Sequence, residues 1–208
     1  MIVTELKQKG KSESYYAYFD NELYGELQLE TLVKHHIKVG EEISNSQLEI
    51  IKEENDKLTC FNRALKYISS RLKTEKQMRE YLHGLKYSNN AINQAINKLK
   101  EYGYINDEHF AKTFVEIYGE SKGKKYLQRE LMLKGVSQNI ITSLLEEQDE
   151  TVACEMQCAK KIKNMAKPIS QKDKEKLYRF LLSKGFEFSV VKQCVSKFIS
   201  GEDDCGWD

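Results

Sequence analysis

The chain has 208 residues, of which 40% are hydrophobic and 31% are charged, and its net charge is only +1. It contains no run of about twenty apolar residues, and the N-terminal sequence MIVTELKQKG lacks the apolar centre of a signal peptide. We therefore expect a cytoplasmic protein. Residues 1–60 carry 7 basic and 12 acidic side chains, whereas residues 61–148 carry 15 and 10, so the middle of the chain suits an acidic or polyanionic partner.

The N-terminal region carries signals for both strands and helices. Residues 15–29, YYAYFDNELYGELQL, place two aromatic or aliphatic runs around Asp20 and Asn21, which predicts a β-hairpin. Residues 2–6 can add a third strand. The segment LETLVKHHI has helical spacing, and Ser44 or Ser46 can cap a further helix over SQLEIIKEEN. We predict a small α+β segment that ends near residue 58.

A sequence motif in the second half of the chain occurs twice. LMLKGVSQNIITSLLEE at 131–147 aligns without a gap on LLSKGFEFSVVKQCVSKF at 181–198, and a more diverged copy begins at Leu82. Each copy predicts a helix, a corner, a capping residue such as Ser88 or Ser137, and a second helix. Gly135 and Gly185 suit the positive φ of a helix end. In the first copy Gly84 comes two positions early, so that helix should end differently. Chance likeness between amphipathic helices is the alternative.

The period of about fifty residues leaves room for a third helix in each unit. The candidates are 61–72, 107–118 and 150–165; TEKQ at 74–77 predicts a capping box, and Pro168 should break the third unit between two helices. We predict a mainly α fold, an elongated tandem array of three-helix repeats with a small N-terminal segment that contains a β-hairpin. The predicted domains are residues 1–58, then three repeats at 59–106, 107–149 and 150–200, and an acidic tail at 201–208.

The sequence gives little sign of catalysis. It contains no phosphate-binding loop, dinucleotide fingerprint, nucleophile elbow or HExxH helix. The five cysteines include no CxxC pair; Cys154 and Cys158 lie one helical turn apart and could share a metal, but small buried hydrophobic residues are the better interpretation. His35 and His36 should face solvent. We predict a protein that is not an enzyme and has no cofactor or metal.

Basic residues cluster at equivalent junctions of the predicted repeats, which suits a filament or a phosphate backbone. The candidates for binding are Arg71, Lys73, Lys76, Arg79, Lys122, Lys124, Lys125, Arg129, Lys160, Lys161 and Lys163. The alternative is that these side chains only keep a helical surface soluble.

The stretches GYINDEHFAKTFVE at 103–116, KGKKYLQRELMLKGV at 122–136 and LLSKGFEFSVV at 181–191 resemble the RecX family of bacterial recombinase regulators. The matching positions are Gly103, Tyr104, Ile105, Asp107, Phe110, Ala111, Lys122, Gly123, Glu130, Leu131, Lys134, Gly135, Lys184, Gly185 and Phe186. The region from the hairpin to FNRAL at 61–65 is similar to the N-terminal extension of members from Gram-positive bacteria. From the residues themselves, Asn106 or Asp107 should cap the next helix, with Tyr104 and Ile105 packed beneath it.

The resemblance implies a protein that binds RecA, along the groove of the RecA filament on single-stranded DNA, and lowers its recombinase, ATPase and coprotease activities. We expect a monomer. Two other hypotheses stay open at this point. The chain could be a sequence-nonspecific DNA-binding protein that acts without RecA, or a helical adaptor whose basic residues are merely solvated. Weak direct DNA binding is compatible with the first hypothesis.

Overall fold

The computed structural model describes residues 1–165 and 169–200. Along the described chain the order of elements is β1 (Val3–Gln8), β2 (Ser14–Phe19), β3 (Glu22–Gln28), α1 (Leu29–Lys34), α2 (Asn45–Ile68), α3 (Glu75–Gly84), α4 (Asn89–Glu101), α5 (Asp107–Gly119), α6 (Lys124–Leu133), α7 (Gln138–Glu146), α8 (Thr151–Ile162), α9 (Gln171–Ser183) and α10 (Phe188–Ser200). A mainly α fold with tandem three-helix repeats and a small N-terminal sheet is confirmed. The predicted break at Pro168 and the predicted tail at 201–208 lie outside the described residues.

The chain divides into two compact units, Met1–Ile105 and Asn106–Asp208. The first unit begins with an antiparallel sheet in the order β1-β2-β3, so the predicted hairpin and third strand are both present. Asp20 and Asn21 form the β2–β3 turn with φ of 49° and 67°, as a two-residue turn between right-twisted strands requires. One face of the sheet buries Phe19 and Leu27 against α1 and α2.

Helix α2 runs across residue 58, near which we expected the N-terminal segment to end. The sequence predicted one helix before this point and another over 61–72, but a single helix runs from Asn45 to Ile68. The segment contains no glycine or proline, so nothing interrupts it. Its first half packs on the sheet, where the buried Asn55 accepts hydrogen bonds from Gln28 N at 2.9 Å and Thr31 Oγ1 at 3.2 Å. Its second half belongs to the first repeat.

The first repeat consists of the C-terminal half of α2 with α3 and α4, packed around Met78 and Leu82. Thr74 forms the predicted capping box at the start of α3, and Ser88 caps α4 by accepting a hydrogen bond from Ala91 N at 3.2 Å. The corner between α3 and α4 differs from the other two. Lys86 adopts φ 64° there, at the position where the later repeats have glycine.

The second unit contains the other two repeats, α5–α7 and α8–α10, each with its own core. The buried residues at their centres include Leu127, Leu131 and Ile141 in the second repeat and Leu177, Leu181 and Phe186 in the third. Gly135 and Gly185 adopt φ of 88° and 87° at the α6–α7 and α9–α10 corners, as predicted. Ser137 was predicted as a cap; it occupies the N-cap position of α7, but its side chain forms no capping hydrogen bond.

Candidate partner and nucleic-acid interface

The second and third repeats meet where α6 begins. The first amides of a helix have no partner inside it, and the N-cap residue of α6 is Gly123, which has no side chain to supply one. The third repeat supplies the acceptors. Gly123 N donates to Lys184 O at 3.0 Å, and Lys125 N donates to Gly185 O at 3.1 Å. The corner between α9 and α10 therefore caps a helix of the preceding repeat.

Glu150 completes this junction from the start of α8. Its side chain is buried, with only 3% of the residue exposed. One carboxylate oxygen accepts from Lys124 N at 2.5 Å, and the other accepts from Glu187 N at 2.6 Å. Hydrogen bonds to an ionised acceptor are shorter and stronger than neutral ones. One carboxylate thus joins the beginnings of α6, α8 and α10, and we call the contacts of Glu150 with Lys124 and Glu187 the Glu150 clasp.

Two glycines allow the backbones to approach this closely. A Cβ atom on Gly123 would lie 2.3 Å from Gly185 O, and one on Gly185 would lie 2.4 Å from Tyr126 N. Real Cβ atoms essentially never come this close to another atom, and a backbone atom cannot rotate away as the end of a side chain can. Glycine is therefore required on both sides of the contact.

Four lysines gather beside the junction, and we call Lys122, Lys160, Lys161 and Lys184 the basic cluster. The ammonium groups of Lys161 and Lys184 lie 5.1 and 5.0 Å from the centre of the Phe180 ring. Lys122 lies 4.4 Å from the centre of the Tyr126 ring. Aromatic faces attract cations in this geometry, so Phe180 holds Lys161 and Lys184, and Tyr126 holds Lys122.

Ion-pair partners for the basic cluster are absent from the part of the chain that the structure describes. Along the described chain, none of its four lysines forms an ion pair with a carboxylate. Burial lowers the pKa of Lys184, and repulsion from Lys122 and Lys160 lowers it further. A site with several cations and no counter-ion is suited to an anionic partner.

The remaining basic candidates in the second unit are not all distant from the cluster, since Arg129 lies 5.4 Å from the centre of the Tyr126 ring that Lys122 also contacts. Lys125 pairs with Glu187 at 3.2 Å, and Arg129 pairs with Glu130 at 3.1 Å. Lys124 contributes its backbone amide to the Glu150 clasp. Lys163 is exposed at the end of α8. The structure thus brings three of the predicted residues, Lys122, Lys160 and Lys161, into one cluster.

The candidates in the first repeat do not form a comparable cluster. Arg79 donates to Glu75 and to Asn93, both at 2.7 Å, and Lys76 lies 3.9 Å from Glu80. Lys73 lies over the Tyr67 ring at 4.5 Å. Arg71 is exposed and forms no ion pair with any residue that the structure describes. These side chains are therefore largely engaged within their own repeat.

In the turn between α4 and α5, the structure differs from the packing that the sequence predicted. Gly103 adopts φ 72°, and Asn106 caps α5 by accepting from His109 N at 2.9 Å, with Asp107 in the first helical turn. Both Tyr104 and Ile105 were expected to pack beneath α5, but Ile105 is buried in the core of the first repeat and Tyr104 is 51% exposed. The turn directs the side chain of Ile105 inward, and its neighbour therefore faces outward.

Sequence reasoning missed two residues of the junction. Lys184 was interpreted only as part of a helix corner, and Glu150 only as the approximate start of a helix. An acidic residue before a helix usually serves the amides of that helix, whereas Glu150 serves α6 and α10. No local signal in the sequence shows such a partnership.

The described residues include no group of three or more potential ligands placed to hold a metal ion. Cys154, Cys158 and Cys194 lie in the core of the third repeat, and burial raises the pKa of the Cys154 thiol to about 12. They are buried hydrophobic residues, as the sequence suggested. His35 is partly exposed and contacts Glu54 at 2.8 Å, and His36 is exposed. None of the described helices is both long and apolar enough to cross a membrane.

Comparison with family models gives three matches that follow the repeats. Residues 60–99 match the first three-helix domain of RecX, residues 106–145 the second, and residues 148–195 the third. Among curated proteins, the regulatory protein RecX of Clostridium botulinum (strain Alaska E43 / Type E3) is 32% identical, and the match covers 96% of this chain and 97% of that one. The regulatory protein RecX of Clostridium tetani is also 32% identical, over 92% of this chain and 91% of that one.

Two solved structures share the fold. One is a crystal structure of regulatory protein RecX, with a TM-score of 0.66 and 18% identity, and the match covers 96% of this chain and 98% of the other. The second is RecX from Lactobacillus salivarius, with a TM-score of 0.64 and 24% identity over 71% of this chain and 98% of the other.

Proposed function

The chain belongs to the RecX family of regulatory proteins, and from this premise we propose that it binds RecA and its filament on single-stranded DNA and inhibits the recombinase, ATPase and coprotease activities. It acts by binding, as a monomer, and the basic cluster is one of its contact surfaces. The observation that carries this proposal is the cluster itself. Lys122 and Lys160 repel Lys184, which shares the Phe180 ring with Lys161, and none of the four forms an ion pair among the described residues.

The charge arrangement supports a contact with an anionic surface more than a role in solvation alone. Burial is the main cause of the lowered pKa of Lys184, and repulsion from Lys122 and Lys160, which a freely solvated lysine would avoid, lowers it further. That repulsion is relieved when an anionic group binds between them. A RecA filament on single-stranded DNA offers phosphates and protein carboxylates close together, so the same cluster can serve both.

The test is the ATPase activity of RecA on single-stranded DNA, titrated with this protein up to equimolar amounts. We expect inhibition by the unaltered chain and a weaker effect from the double variant Lys122→Glu with Lys160→Glu. The matched control reverses two lysines outside the cluster, Lys172→Glu with Lys192→Glu, both exposed. No inhibition by the unaltered chain at any ratio would remove the proposal. Equal inhibition by the cluster variant and the control would show that the basic cluster is not one of the contact surfaces.

The same cluster favours a second candidate function, sequence-nonspecific binding of DNA without RecA. For single strands the logarithm of affinity falls with the logarithm of salt concentration by about 0.7 for each phosphate that is neutralised. Polarisation of a labelled oligonucleotide measures this slope directly. Tight, salt-dependent binding together with no effect on RecA would favour this second function over the first.

A further inference from the structure

We propose that Glu150 is a positioning residue: its buried carboxylate locks the second repeat to the third and thereby sets the arrangement of the basic cluster. The inference rests on the proposed function for its biological role, since it concerns the geometry of the same surface. Glu150 itself is buried and is not a contact residue.

The cluster depends on the junction because its members come from different elements on both sides of it. Lys122 precedes α6 in the second repeat, Lys160 and Lys161 lie at the end of α8, and Lys184 follows α9. A rotation of one repeat against the other would move Lys122 away from the three remaining lysines. The spacing of the charges is therefore only as fixed as the angle between the repeats.

A carboxylate is the group that this junction needs. Two backbone N–H groups, from Lys124 and Glu187, point at the two oxygens of Glu150, so both oxygens must accept. A glutamine of the same shape would offer one oxygen and one NH2 group, and the NH2 group would face a donor. An isosteric Glu150→Gln change therefore breaks one side of the clasp without creating a cavity.

The burial of the Glu150 carboxylate also supports a positioning role for this residue. Among the residues that the structure describes, Glu150 forms no ion pair, and the hydrogen bonds to its carboxylate come from two backbone N–H groups. Burial of an ion carries a desolvation penalty that a well-packed apolar side chain avoids. A charged group at this place therefore suits a geometric constraint better than it suits maximum stability.

A second variant breaks the same contact from the other side. Lys124 is the first residue of α6, where proline is tolerated because the N–H is not needed within the helix. Gly123 before it has φ −84° and ψ 169°, which is compatible with a following proline. Lys124→Pro thus removes one donor of the clasp and leaves Glu150 unchanged. Lys124→Ala is the control for the lost side-chain charge.

The experiment measures the distance between the repeats by pulsed electron spin resonance. Spin labels are placed at the exposed positions Gln128 in α6 and Gln193 in α10, with Cys205 replaced by serine because the other cysteines are buried. We expect a narrow distance distribution for the parent chain and a broad one for Glu150→Gln and Lys124→Pro. Ser170→Ala, which removes a helix cap in the third repeat away from the junction, should leave the distribution narrow.

The second readout is the salt dependence of binding to a labelled oligo(dT) probe, which a purely structural role would not change. We expect Glu150→Gln to reduce the slope by about 0.7 for each lysine that is displaced from its phosphate. In the Lys122→Glu, Lys160→Glu background it should cause little further reduction. A narrow distance distribution in both clasp variants would overturn the proposal, and so would a broad distribution with an unchanged slope. The distance measurement needs neither RecA nor DNA, so it remains informative if the proposed function fails.

Discussion

Three glycine-to-alanine changes separate the two reasons why this chain uses glycine at its turns. Gly103 has φ 72° and open space around its Cβ position, so only its backbone conformation requires glycine. Gly123 has an ordinary φ of −84° but faces the backbone of the third repeat. Gly185 has φ 87° and also faces backbone. The three variants therefore test conformation alone, contact alone, and both together.

The expected losses follow from these surroundings. A left-handed conformation costs a residue with a Cβ about 1 to 2 kcal/mol, and alanine recovers about 0.4 to 1 kcal/mol by restricting the unfolded chain. Gly103→Ala should therefore lower the free energy of unfolding by about 0.5 to 1 kcal/mol. At Gly123 a Cβ at 2.3 Å must move by more than 1 Å to reach the ordinary contact distance of 3.4 Å.

That displacement weakens the two backbone hydrogen bonds that Lys184 and Gly185 accept from α6, each worth about 0.5 to 1.5 kcal/mol, and adds overpacking of about 1 to 3 kcal/mol. We expect a loss of about 2 to 4 kcal/mol for Gly123→Ala. For Gly185→Ala, which combines both effects, we expect about 3 to 5 kcal/mol.

Urea denaturation followed by circular dichroism measures these differences, with hydrogen exchange of the Gly123 and Lys125 amides as the local readout. Because the chain has two compact units, each transition is fitted separately. Gly103→Ala should leave exchange at α6 unchanged, whereas Gly123→Ala should accelerate it. The reasoning is refuted if Gly123→Ala destabilises the protein no more than Gly103→Ala does, since the two backbones would then not be in contact in solution.

Further predictions concern the first unit. Lys86→Gly should raise the urea midpoint, with a gain of about 0.5 to 1 kcal/mol, because Lys86 adopts φ 64°; a lower midpoint would contradict this. Thr74→Ala should lower the free energy of unfolding by about 1 kcal/mol, measured by thermal denaturation, because it removes the α3 cap. Burial acts to raise the pKa of Glu75, but hydrogen bonds from Lys100 and Arg79 outweigh it and the pKa is lowered. The stabilisation from Glu75 is therefore fully present above the ordinary pKa of 4.5 and is lost as pH falls through the lowered pKa of the folded state, so Glu75→Gln should destabilise the protein more at pH 7 than at pH 3.

Local signals in the sequence were sufficient for most of the repeat architecture. Gly135 and Gly185 mark corners because a positive φ selects glycine, and Ser88 marks a helix start because its oxygen can accept a free amide. Lys86 shows the limit of this reasoning, because a lysine in the same conformation carries no signal. The continuity of α2 was missed for a related reason. Repeat periodicity suggested a boundary there, and only the absence of glycine and proline argued against it.

The candidate site was less predictable, because its properties depend on partners that are distant in sequence. Lys125 and Lys122 look equivalent in the segment SKGKK, yet Lys125 meets Glu187 while Lys122 meets Tyr126 and repels Lys184. Composition can show that this segment is basic. Whether a particular charge is neutralised is decided by the packing of the third repeat against it.

The junction gives a physical reason for the lysine-glycine motif of the third repeat, Lys184 and Gly185. A helix ends with free carbonyls and begins with free amides, and both normally need water or side chains. Here the carbonyls of Lys184 and Gly185 at the end of α9 accept the amides of Gly123 and Lys125 at the start of α6. The negative end of one helix thus faces the positive end of another, which is favourable for both. Each repeat thus supplies hydrogen-bond partners for backbone groups that are free in the other. Helix α6 cannot be fully capped unless the third repeat is folded. The second and third repeats should therefore unfold together, as one cooperative unit.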